Sequence, residues 1–144
     1  PLGAVRRLRA HAPPAARAAS PRRLAKTQSA VPTVEEVLDA HLAALAEHEV
    51  LYARLLGEAA TLPAAARARV FALQSGIAFR LRQAYERELA QGRARAIDRT
   101  LLANTWIALT NHYLMHRDLF SPGASVVAAR RDELKACLLQ LIRT

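Results

Sequence analysis

From Val34 onward, apolar side chains return every third or fourth position, the period of a helix that buries one face. Val34, Leu38, His41, Leu45, His48, Tyr52 and Leu55 share a face. Thr33 followed by Glu36 makes a capping box just after Pro32, so a first helix is expected from there to Gly57 or Ala60. A second stretch opens at Pro63, which suits a first turn. It runs through Val70, Leu73, Ile77, Leu81, Tyr85 and Leu89 to Gly92, a natural C-terminal cap. Ser75-Gly76 marks a point where this stretch would kink or divide. Asp98 is an N-cap for a helix over 99–119, which stops before Ser121-Pro122-Gly123 because Pro122 removes a donor and disfavours helix at Ser121. A last helix over 125–143 carries Val127, Leu134, Leu138 and Leu141 on one stripe, widened by Leu139 and Ile142. With five Gly and no run of alternating β-branched residues, the pattern predicts an all-α fold, an antiparallel bundle of four to five helices.

The third helix stands apart. The seventeen residues from Thr100 to His116 contain no Lys, Arg, Asp or Glu, yet they are too few and too polar to span a membrane, which takes roughly 20 mainly apolar residues. Leu102, Trp106, Leu109, Tyr113, His116 and Phe120 fall on one face; Leu101, Thr105, Ala108, His112, Met115 and Leu119 fall on the adjoining one. Ile107 and Leu114 lie on a third side. A helix apolar on so many sides requires cover from its own core and from something further. Together with the last helix it forms an αα-hairpin suited to pairing with a copy of itself.

Charge changes the picture less than the total of +9 suggests. Residues 1–31 hold seven Lys/Arg and no acid, whereas residues 32–144 hold fourteen Lys/Arg against twelve acids, a balance of +2. The basicity belongs to the tail rather than to a binding face of the helical part. Residues 1–32, rich in Ala, Arg and Pro, lack a core-forming pattern and are expected to be disordered; they could be a transit peptide, a phosphate-binding arm or a silent extension. The lone Cys137 excludes an intramolecular disulfide and favours a reduced, cytoplasmic setting. No nucleotide loop, nucleophile motif or acid–base carboxylate pair is present, so no catalytic residue and no cofactor is assigned.

The succession HLAALAEHEVLYARLL at 41–56, YERELAQG at 85–92, LLANTWIALTNHYLMHRDLFSPG at 101–123 and DELKACLLQLI at 132–142 resembles the C-terminal domain of the tetracycline-repressor (TetR) family of transcriptional regulators. The resemblance covers about residues 33–143. It implies that the last two helices form a four-helix homodimer seam, and that the preceding helices enclose a pocket for a small, largely apolar effector. A repressor of this family reads DNA with an N-terminal helix-turn-helix, and residues 1–32 have no such pattern. DNA binding is therefore expected only of a part upstream of Pro1.

Aromatic and Met side chains offer large apolar surface with few polar demands, and a few polar groups complete a small-molecule site. The effector candidates are accordingly Tyr52, Phe79, Trp106, Tyr113 and Met115 with His41, His48, His112 and His116. The dimer candidates are Val127, Leu134, Leu138 and Leu141. Two other readings compete. The apolar face could dock another protein, making the chain an adaptor; or His112 and His116, four apart, could share a metal such as zinc with a third ligand from the first helix.

Overall fold

The computed structural model describes residues 31–143; the expectations for residues 1–30 lie outside them. Among the described residues there are six helices and no strand: α1 (Val34–Glu47), α2 (Glu49–Gly57), α3 (Ala64–Ala90), α4 (Arg99–Met115), α5 (Arg117–Phe120) and α6 (Val126–Ile142). The all-α reading holds. None of these helices is long and apolar enough to cross a membrane.

The helix starts follow local chemistry. Thr33 and Glu36 complete the capping box of α1, and Glu88 of α3 accepts from the Val34 amide at 2.8 Å. Asp98 accepts from the Leu101 amide to open α4, and Ser125 accepts from the Ala128 amide to open α6. α3 ends where Gly92 adopts φ +68° and the Arg93 amide returns to the Glu88 carbonyl, a turn that favours glycine. The Ser75-Gly76 pair does not divide α3, which is continuous over 27 residues. Neither residue removes a backbone donor, so the helix tolerates the modest propensity cost.

Two expected helices are broken. The first stops at Glu47 and restarts at Glu49, with His48 at φ −119°, ψ 21°; the third stops at Met115 and restarts at Arg117, with His116 at φ −112°, ψ 25°. At the first break the cause is tertiary. Glu49 is buried, and its carboxylate accepts from the Ser125 hydroxyl and from the Val126 amide at 3.0 Å, satisfying the N-terminus of α6. Arg117 of α5 approaches the same carboxylate at 3.9 Å. One buried acid thus joins α2, α5 and α6.

α4 is the central helix and packs against α2, α3 and α6. Trp106, Leu102, Leu114, Leu38, Leu42, Leu81, Tyr85, Leu138 and Ile142 are the large fully buried side chains among the described residues. The Tyr85 hydroxyl accepts from the Ile97 amide at 2.7 Å and lies 3.0 Å from the Arg95 and Ile97 carbonyls, so it staples the α3–α4 connection. Along the α1–α6 seam, Lys135 and Arg131 pair with Asp39, and Lys135 and Arg143 pair with Glu35.

The stripe expected to face a second copy instead faces inward. Val127, Leu134 and Leu138 are buried in the chain's own core, and Leu141 is half-buried against it, because α6 turns this stripe onto α1 and α4. The exposed side of α6 instead carries Ala129, Asp132, Glu133, Ala136 and Gln140. Uncovered apolar surface lies on α4 and α5, where Leu101, Met115 and Leu119 are 62%, 53% and 77% exposed, as well as on α2 and the N-terminal half of α3. The part on α4 and α5 is the adjoining face for which the sequence pattern demanded a second cover.

Candidate functional site

A cavity of about 500 Å³ lies between α1, α2, the N-terminal half of α3 and α4, within the usual range of small-molecule sites. Two features leave it unfilled. The helix is interrupted at His48, where Glu49 is tied to the start of α6, and the lining positions Ala44, Ala72 and Gly76 are small. The walls are Leu45 from α1, Leu51 and Leu55 from α2, Leu73 and Ile77 from α3, and Ile107 from α4. Across the opening, Gln74 of α3 donates to the Tyr52 hydroxyl at 3.2 Å, which leaves the Tyr52 O–H free to donate.

His41 is the polar group in the floor. Its Nδ1 accepts from the Trp106 indole N–H at 2.9 Å, and burial lowers its pKa from 6.5 to about 4. The imidazole is therefore neutral at pH 7 with its proton on Nε2. Among the described residues no buried side-chain nitrogen or oxygen lacks a partner and Nε2 has none, so this donor of a cavity-lining residue is accessible. Thr110 is already committed, donating to the Trp106 and Ile107 carbonyls. Asn111 and Arg80 complete the polar lining, and no Asp or Glu contributes to it.

The structure sorts the nine effector candidates. His41, His48 and Tyr52 line the cavity. Trp106 stands one layer behind, fully buried against His41. Phe79 points outward from α3, and Met115 belongs to the exposed face of α4. His112, Tyr113 and His116 form a separate aromatic cluster with Phe120: Tyr113 stacks on Phe120 at 4.4 Å between ring centroids, and the rings of His112 and His116 are 4.7 Å apart. None of these four residues lines the cavity, into which α4 carries Ile107, Thr110 and Asn111. Among the described residues no group of three His, Cys, Asp or Glu side chains is placed to hold a metal, so the His112–His116 pair lacks the third ligand from the first helix. The aliphatic lining was visible as helix periodicity at Leu45, Leu55, Leu73 and Ile77, but nothing in that periodicity separates a cavity wall from a filled core. Arg80 and Asn111 gave no motif signal at all.

The chain matches no protein-family model, no curated protein and no solved structure. The described residues define a helical domain with an apolar, acid-free cavity and an uncovered apolar face along α4 and α5.

Proposed function

We propose that residues 33–143 form the ligand-sensing, homodimerising part of a TetR-like transcriptional regulator, with DNA read by a helix-turn-helix outside these residues. The observation that carries this reading is the cavity: an apolar lining with a few donors suits a small, largely apolar effector. Further support comes from the exposed Leu101, Met115 and Leu119, a surface for a second copy of the chain. The seam then runs through α4 rather than through the inward stripe of α6. The adaptor alternative rests on that same face taking a different protein.

Decan-1-ol serves as a neutral apolar probe. It should raise the thermal midpoint by mass action and perturb the emission of Trp106, the single tryptophan, whose indole N–H contacts the cavity floor through His41. Gly76→Leu should abolish both responses while the protein stays folded, since a Cβ at Gly76 meets nothing within 4 Å and the side chain projects from a cavity-lining position. No response from the parent protein rejects the ligand-sensing role. For assembly, sedimentation at micromolar concentration should report a dimer that Met115→Glu converts to a folded monomer; a parent monomer rejects self-association.

A further inference from the structure

We propose that the cavity takes an amphipathic anion, its apolar body against Leu45, Leu55, Ile77 and Ile107 and a carboxylate-type head on Arg80. This rests on the cavity being a small-molecule site and specifies the chemistry it selects. Arg80 is the one formally charged side chain in the lining, with no Asp or Glu there to neutralise it, and among the described residues no hydrogen bond or ion pair engages its guanidinium. An acid-free lining with one unpaired guanidinium complements a negative ligand and disfavours a cation.

The register gives the site a charged end. α1–α2 and α3 run antiparallel, pinned by the Val34–Glu88 and Tyr52–Gln74 hydrogen bonds. Interpolation between these pins brings Arg80 to the level of His41 and Ala44, while Leu51, Leu55 and Leu73 lie toward the other end. The Nε2–H of His41 and the guanidinium of Arg80 thus lie at one level of the lining, with the neutral Tyr52–Gln74 pair toward the other end and aliphatic side chains between them. Because Arg80 is exposed, a bound head group keeps part of its hydration while the apolar body loses water. A carboxylate meets these donors with charge-assisted hydrogen bonds, which an alcohol of the same chain length cannot match.

Three probes of equal chain length test this on the full chain by calorimetric titration below their micellar concentrations: decanoate, decan-1-ol and decyltrimethylammonium. Decanoate should bind about tenfold more tightly than decan-1-ol, with the ammonium weakest. Arg80→Gln, a change at an exposed position, should bring decanoate down to about the affinity of decan-1-ol and should weaken decan-1-ol far less than decanoate. The decanoate preference should also shrink as salt is raised. Equal binding of decanoate and decan-1-ol, or a preference that survives Arg80→Gln, overturns the anion assignment and leaves the cavity reading standing. Binding of none of the three overturns both.

Discussion

The two halves of α3 are parts of one unbroken helix, yet they behave as different materials. Over 81–90 the helix buries Leu81, Ala84 and Tyr85 almost completely; over 64–80 it buries nothing fully and leaves Phe71, Leu73 and Phe79 at 65%, 63% and 54% exposed. Apolar content does not separate them, since the N-terminal half holds as many large apolar side chains. What differs is the neighbour. The C-terminal half meets α1, α4 and a connection stapled by the Tyr85 hydroxyl, whereas the N-terminal half faces α2 across a cavity bridged by Gln74 and Tyr52. One end of the bundle is closed by packing, and the other is held open by the break at His48 and by the commitment of Glu49 to α6.

The sharpest way to break this comparison is to truncate a leucine in each half. Leu81→Ala should cost about 2–5 kcal/mol in urea unfolding, because a closed core cannot collapse around the loss. Leu73→Ala should stay within about 0.5 kcal/mol, as for an exposed position. Similar costs at both sites would dissolve the distinction. At the open end the buried anchor is Glu49, and Glu49→Ala should cost about 1–3 kcal/mol by leaving the first amides of α6 and the Ser125 hydroxyl without their acceptor. It should also weaken decan-1-ol binding, since α2 forms one cavity wall.

A smaller, pH-dependent effect reads the boundary between the halves. Burial holds the pKa of His41 near 4, below its ordinary 6.5, so its contribution to stability is complete above pH 6.5 and is lost as the pH falls toward 4. Between those values the slope should approach about 1.4 kcal/mol per pH unit in denaturant titrations. His41→Gln, which keeps an acceptor for Trp106, should flatten it. Asp39 acts in a separate window: Arg131, then Lys135, holds its carboxyl below the ordinary 3.8, so its share is lost only as the pH falls below that value. An unchanged slope in His41→Gln would show that the cavity floor is wet.

Helix periodicity, capping chemistry and turn residues were enough to predict the all-α class, the starts at Thr33, Asp98 and Ser125 and the cap at Gly92, because each is a hydrogen-bond requirement met within a few residues of sequence. Periodicity also separated the two apolar faces of α4, one buried through Leu102 and Trp106, the other exposed through Leu101, Met115 and Leu119. It could not say which stripe of the hairpin faces inward, so Val127, Leu134 and Leu138 read as a seam although they close the chain's own core. The family resemblance implied a pocket among the preceding helices, but periodicity could not foresee the break at His48 or the share of Arg80 in the cavity lining. Those depend on Glu49 reaching Ser125 and Val126, 76 and 77 positions away in the chain, and a hydrogen bond over that distance exists only once the helices have packed.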